Sequence, residues 1–259
     1  MTPPPREMPI VRATFVKVGG SVITVKNAQE PIPKVDAIKA FAEDVAKLYS
    51  QGVPLILANG AGSFGHPLAK RAELHRGLLP DRELQAAETA HSALTINFML
   101  VDELIGAGVP AISFSPRSYV YGAEGGWVAE ITPIRMALER GLVPVTFGDV
   151  VMHLERGAAI FSADDAPSVL SPLIEEAIFL VDVPGVLGPD GKVVREVTPS
   201  TMGLVGESAA VDVTGGMGGK LRKGFELVEK GIPVRIAGFF SRGDLLRAFR
   251  GESGTALKL

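Results

Sequence analysis

Apolar positions recur along this chain in two alternating periods, one of about two residues and one of about 3.6. Residues 11–18 (VRATFVKV) form a β-branched run that stops at Gly19-Gly20-Ser21, which predicts a strand ending in a turn. Val35, Ile38, Phe41, Val45 and Leu48 fall at helical spacing, so a helix is expected over 34–50, closed by Gly52. A second strand is predicted at 53–58, followed by the glycine-rich turn Gly60-Ala61-Gly62-Ser63-Phe64-Gly65 and then His66. Residues 67–107 read mostly as helix, broken near Gly77 and Pro80. Its long second part, 81–107, is strongly apolar, with Leu94, Ile96, Phe98, Met99, Leu100 and Leu104. Strands are expected at 110–114 and 143–147, with a helix at 132–140 between them.

After Gly148-Asp149 the stretch VVMHLERGAAIF predicts a hairpin turning at Glu155-Arg156-Gly157. A helix at 164–175 is expected to lead into a strand at 176–183, and Asp190-Gly191 signals a second hairpin with a type I′ turn. The stretch DVTGGMGGK introduces a helix at 217–230, then a strand at 232–237, a helix at 242–249 and a short last run, TALKL. Strands alternating with helices predict an α/β fold with a largely parallel sheet between helix layers. There is no internal repeat, low-complexity block or clear linker. Residues 1–10 read as a flexible leader and 11–259 as one domain. Its two lobes, about 11–160 and 161–259, meet where hairpins replace simple βα units.

Composition narrows the classes. With 46% hydrophobic and 21% charged residues the chain has ample core, and a net charge of −3 argues against a non-specific nucleic-acid binder. The absence of cysteine excludes disulfides, thiolate zinc sites and a cysteine nucleophile, and fits a reducing compartment such as the cytoplasm. The N-terminal MTPPPREMPI lacks a signal-peptide pattern, and no apolar run reaches the roughly 20 residues of a membrane helix.

The candidate chemistry lies in the turns. A strand that stops in glycines before a helix presents bare backbone N–H groups, and the helix dipole adds positive potential; both suit a phosphate. His66 stands at that mouth. Gly60 to Gly65 also fits the dinucleotide fingerprint G-x-G-x-x-G, but the acidic residue expected at the end of a following strand is missing, because Asp81, Glu83 and Glu88 lie in helical sequence. Lys17 ends a buried strand beside Gly19, Gly20 and Ser21, a costly place for an ammonium without an anion. Lys26 is either a second cation at the same mouth or a solvated side chain. Residues 212–220 approximate a Walker A loop, but Thr214 stands where its first glycine belongs and Leu221 follows Lys220, so a phosphate loop and a plain glycine linker both fit. Asp164 and Asp165 read either as helix caps or, for Asp164, as a buried carboxylate orienting two lysines. Asp182 fits a ribose contact or a turn cap. His75, His91 and His153 match no metal spacing and read as structural. Separate lysines at three glycine-rich turns are what phosphoryl transfer needs: positioned cations and N–H groups around the moving group.

With these pieces in order, the chain resembles the amino acid kinase superfamily and, within it, the isopentenyl phosphate kinases. The resemblance covers about residues 12–258 and rests on KVGGSVIT with Lys26, GSFGH at 62–66, Gly148-Asp149, the stretch Ser162 to Asp165, and DVTGGMGGK. It implies an open αβα sandwich with a mainly parallel central sheet, usually a homodimer, binding its acceptor in the N-terminal part and ATP toward the C-terminal part. The implied reaction is ATP-dependent phosphorylation of isopentenyl phosphate to isopentenyl diphosphate, an isoprenoid precursor of the alternative mevalonate route, with Mg²⁺ carried by ATP and no protein metal site. Other acceptors on the same fold, such as fosfomycin, and a catalytically silent nucleotide sensor are the alternatives. By the resemblance, Lys17 bridges the ATP phosphates and the transferred group, with Gly19, Gly20 and Ser21 along that path. His66 holds the acceptor phosphate with Ala61, Gly62 and Gly148 nearby, and Gly62 also borders the ATP. Lys220 steadies the ATP phosphates, Lys26 assists at the γ-phosphate, Asp164 organises the lysines, and Asp182 and Gly216 touch the nucleotide. The helix after His66, with Leu94, Phe98 and Met99, would offer either an apolar slot for a five-carbon tail or ordinary core. The chain departs from the family pattern HGGGSFGH at Asn59 and Ala61, and from TDVDGV at Pro184.

Overall fold

In the computed structural model, which describes residues 11–202 and 216–259, every residue of the first strand is buried. The chain begins β1 (Ala13–Val18), α1 (Gly20–Ile23), α2 (Val35–Ser50), β2 (Leu55–Asn59), α3 (His66–Arg71), α4 (Glu83–Gly106) and β3 (Ala111–Ser113). It continues β4 (Val120–Ala123), β5 (Gly126–Ala129), α5 (Thr132–Glu139), β6 (Val143–Phe147), β7 (Asp149–His153), β8 (Gly157–Phe161) and α6 (Ala166–Val169). It ends β9 (Ile174–Val181), β10 (Glu196–Val197), α7 (Met217–Glu229), β11 (Val234–Gly238), α8 (Asp244–Phe249) and β12 (Thr255–Leu257).

Eight strands form one sheet in the order β10-β12-β11-β9-β1-β2-β6-β3. All its pairings are parallel except β11 with β12. Because side chains alternate across a strand, β1 feeds two cores. Ala13 and Phe15 join a cluster with Phe179, Phe161, Leu221 and Phe225, on the α7 side of the sheet. Val16 and Val18 join Phe41, Val45, Ile96, Leu100 and Leu245, the buried faces of α2, α4 and α8. This is the expected αβα sandwich. The alternation also sends Lys17, after Phe15, to the α7 face. A second sheet, β5-β4-β7-β8, packs beside the first.

Several expectations need correction. The helix predicted over 164–175 is a single turn, α6, followed by a 3₁₀ turn at Ser171–Leu173, with β9 already begun at Ile174. Pro167 sits in the first turn, where proline is tolerated, but Pro172 would fall inside the longer helix, where it withholds a needed N–H; instead it opens the 3₁₀ turn. The hairpin β4–β5, turning at Glu124-Gly125, is an addition to the predicted elements. Asp190-Gly191 does turn the chain, but through one isolated bridge between Leu187 and Val193. Only Gly191 adopts a positive φ (74°) there, so the turn is not type I′, which also needs a positive φ at the residue before it. The leader 1–10 and the Asp212–Gly215 part of the third glycine turn lie outside the described residues.

Candidate active site

The carboxyl ends of β1, β2, β6 and β9 lie side by side and all release their chains on the same edge of the sheet, the usual ligand crevice of an open parallel sheet. There the turns after β1 and β2 are packed backbone to backbone. A Cβ on Gly20 would lie 2.6 Å from Gly62 Cα, and one on Gly60 would lie 2.6 Å from Gly20 N. Gly62 has φ +52° and a Cβ there would overlap the Thr24 hydroxyl. These glycines are required by the fold itself, because no side chain fits between the turns. Ala61 needs no glycine: it is right-handed helical (φ −77°, ψ −23°) and its methyl lies over Gly65. Gly148 differs from both. A Cβ there would meet Ala163 N at 3.4 Å and Phe161 O at 3.6 Å, ordinary contact distances, so protein packing does not demand its bare backbone.

Lys17 emerges from β1 onto the α7 face, as the alternation requires, and its Nζ lies 2.8 Å from Asp164 Oδ1. Lys220, in the first turns of α7, places its Nζ 3.4 Å from Asp164 Oδ2. One carboxylate thus holds two ammonium groups, both largely buried, with side chains 5% and 16% exposed. Burial pushes the Lys17 pKa down from the usual lysine range, the Asp164 charge opposes this, and the neighbouring Lys220 charge adds to the fall. For Asp164, burial alone would raise the carboxyl, but the charges of Lys17 and Lys220 outweigh it and hold it below the usual carboxylate range. Asp164 is thus paired with two lysines at once. Asp165, read from the sequence as a helix cap, places its Oδ1 3.1 Å from Lys223 Nζ, one turn along α7 from Lys220. The adjacent aspartates therefore pin two successive turns of α7 to the strand ends.

Ser21 and Asp182 flank this centre. Lys26 Nζ sits 2.9 Å from Asp182 Oδ2, at the end of β9, in a partly exposed pair. Burial would raise the Asp182 carboxyl, but hydrogen bonds from Lys26 and Ser21 and the Lys26 charge hold it down. Gly216 is the residue that precedes α7. His66 opens α3 on the surface beside the Gly62–Phe64 turn, with Pro67 behind it. Lys17, Lys220, Asp164, Lys26, Asp182 and the two glycine turns are thus gathered at one sheet edge, with His66 and Gly148 on the β2–β6 side.

The sequence profile of the amino acid kinase family matches residues 12–238. The chain belongs to the amino acid kinase family. Within that family it is 32% identical over 256 residues to the isopentenyl phosphate kinase of Methanothermobacter thermautotrophicus, covering 92% of this chain and 95% of that one. It is 34% identical over 229 residues to the isopentenyl phosphate kinase of Haloferax volcanii, covering 86% and 90%. An X-ray structure of isopentenyl phosphate kinase superposes with a TM-score of 0.81 at 29% identity, over 95% of this chain and 100% of that one.

Around this amino acid kinase core the structure adds features the sequence did not announce. Asp149, after Gly148, is buried and held by Arg117, whose Nε and Nη2 donate to its two carboxylate oxygens at 2.8 and 2.5 Å. Arg117 Nη2 also donates to Ala90 O, tying α4 to β7. The departure Asn59 is fully buried; its Oδ1 accepts from Asn97 Nδ2 of α4 at 2.9 Å, and Asn97 Oδ1 accepts from Ser113 Oγ at 2.5 Å. Next to this helix a cavity of about 410 Å³ is lined by Leu78, Ala86, Ala90, Val150, Met152 and Arg117. Leu94, Phe98 and Met99, left open between an apolar slot and ordinary core, do not line this cavity: Phe98 is 51% exposed, Met99 packs against the core, and the cavity lies about two turns earlier on α4. Periodicity located the helix but not which stretch faces a void.

Proposed function

We propose that this chain transfers the γ-phosphoryl group of ATP to isopentenyl phosphate, giving ADP and isopentenyl diphosphate. The observation that carries this reading is the Lys17–Asp164–Lys220 array at the crossing of two glycine turns. Donor and acceptor are both anions, so bringing them together needs fixed cations and backbone N–H groups more than acid–base chemistry. In this reading Lys17 spans the leaving β-phosphate and the transferred group, Lys220 and Lys26 offset the remaining charge, and Asp164 keeps the two buried ammonium groups charged and aimed. Gly19, Gly20, Ser21, Gly62, Asp182 and Gly216 line the ATP, while His66, Ala61, Gly62 and Gly148 hold the acceptor phosphate. Gly148 supports the acceptor assignment, since its missing side chain is unexplained by packing and a phosphate against bare backbone would explain it.

Among the described residues no three His, Cys, Asp or Glu side chains converge to hold a metal. Mg²⁺ is proposed to arrive on the ATP phosphates, where it would supply charge neutralisation. The alanine-lined cavity beside α4 offers apolar room for a five-carbon tail. Among the described residues no helix is long and apolar enough to cross a membrane. The enzyme is proposed to act in the cytoplasm as a homodimer, with exposed Phe98 and Ile105 of α4 and Ile112 of edge strand β3 as an apolar surface suited to a second copy.

The test is ADP release with ATP and Mg²⁺ against isopentenyl phosphate, dimethylallyl phosphate, fosfomycin and UMP. Turnover confined to the first two supports the assignment. Turnover on fosfomycin or UMP alone replaces the acceptor, and nucleotide binding without turnover on any points to a sensor.

A further inference from the structure

Thr24 ends the one-turn helix α1 and is wholly buried. A valine would fill the same space, so packing does not account for the hydroxyl. Its bonds do. Thr24 Oγ1 donates to Gly20 O at 2.8 Å and accepts from Ser63 N at 3.0 Å. Gly20 belongs to the turn after β1 and Ser63 to the turn after β2, so one hydroxyl is bonded to both. Two neighbouring contacts brace it from the following loop: Ile32 N donates to Ser63 Oγ at 3.2 Å, and Lys34 Nζ donates to Ser21 O at 2.8 Å. The glycines let the turns touch, but bare backbone contact has no directional preference. The hydroxyl supplies the direction: Gly20 O, which also accepts from Thr24 N at 2.8 Å, holds it in place, and the Ser63 N–H loses its partner if the turns slide.

We propose that Thr24 is a positioning residue, its hydroxyl fixing the separation of the two glycine turns and with it the distance from the γ-phosphorus to the attacking oxygen of the acceptor. This rests on the reading that the β1 turn holds the donor phosphates and the β2 turn the acceptor phosphate. Each substrate contacts mainly its own turn, so loosening the clasp leaves both KM values nearly unchanged and acts on kcat. A misplacement of about 1 Å between reacting groups costs on the order of 100-fold.

The experiment compares wild type, Thr24→Val and Thr24→Ser in the full chain, measuring ADP and isopentenyl diphosphate separately. Thr24→Val is expected to lose about 100-fold in kcat with both KM values close to wild type, and to release ADP in excess of diphosphate as water reaches the loosened site. Thr24→Ser restores both the rate and the one-to-one ratio. A Thr24→Val enzyme with wild-type kcat, or with the loss entirely in one KM, overturns the proposal. If Thr24→Val does not fold, Thr24→Ser is compared with Thr24→Cys, whose thiol bonds more weakly; equal kcat values overturn it, and a lower kcat for cysteine supports it. If wild type itself does not use isopentenyl phosphate, the acceptor assignment fails separately, and the clasp is judged by amide hydrogen exchange. ATP should then slow exchange over 60–65 in wild type but not in Thr24→Val, and equal slowing in both overturns it.

Discussion

Asp164→Asn tests the electrostatic centre directly, since it keeps the shape of the side chain and removes only its charge. At an effective dielectric of about 20, unit charges 2.8 and 3.4 Å apart attract by about 6 and 5 kcal/mol. Desolvating three charges offsets much of this, and removing one partner of a buried pair typically costs about 3–5 kcal/mol, because the other charge stays behind. Here two like charges stay behind. In a chain of this size, each kcal/mol lowers Tm by about 2–4 °C, so the variant should melt about 10 °C below wild type. In the proposed reading ATP brings anions to the same two ammonium groups, so its stabilising shift should be larger in Asp164→Asn than in wild type. Differential scanning calorimetry with and without ATP reads both effects. The sign with pH follows from the lowered Asp164 pKa. Its stabilisation is complete above the unfolded carboxylate range and is lost as pH falls through the lower folded value, so the gap between the two proteins closes in acid. Lys17 titrates below the usual lysine range, and losing Asp164 removes what opposes that fall, so the alkaline limb of kcat should move to lower pH in the variant. A loss of under about 1 kcal/mol, the worth of an exposed pair, would refute the reasoning, as would an unchanged ATP shift.

Three further outcomes follow from the geometry. Gly62→Ala, which must place a methyl on the Thr24 hydroxyl at a positive φ, should lower Tm and abolish turnover, whereas Gly148→Ala should keep the wild-type Tm and lose acceptor affinity; equal Tm losses would contradict the contrast. His66→Ala should reduce kcat/KM for isopentenyl phosphate by about 10- to 100-fold, the worth of a hydrogen bond to a charged group, and leave the ATP KM unchanged. Ala87→Leu, at the cavity wall on α4, should leave ATP use and Tm intact while raising the KM for isopentenyl phosphate; an unchanged KM would remove that cavity from the tail site.

How much of this was legible in the sequence depends on the distance over which each feature is specified. The strand-to-glycine turns at Gly19–Ser21 and Gly60–Gly65 are local, and a lysine ending an otherwise apolar strand is conspicuous, so Lys17 and both turns stood out. The alternation of β1 even fixes the face that Lys17 takes. What joins Lys17 to Lys220 is Asp164, and nothing in the residues around Asp164 separates a helix cap from a lysine clamp; the packing of α7 against α6 brings Lys220 to the carboxylate that Lys17 also meets. The same holds for Arg117 with Asp149, which joins the turn before β4 to β7, and for Asn59 with Asn97, which joins β2 to α4. The helix predicted at 164–175 is cut short at Pro172, which lies inside it and was a local signal available to be used. The β4–β5 hairpin likewise had its Glu124-Gly125 turn, with a second glycine after it, in plain view between a β-branched, aromatic run and Trp127-Val128.

The central claim is that this array of cations moves a phosphoryl group onto a phosphate. Phosphorus-31 NMR of ATP, Mg²⁺ and isopentenyl phosphate mixed with the enzyme reads that transfer directly. The account predicts that the monoester resonance disappears as two coupled diphosphate resonances and ADP grow together in equal amounts. ATP decaying to ADP and inorganic phosphate while the monoester resonance stays unchanged would contradict it.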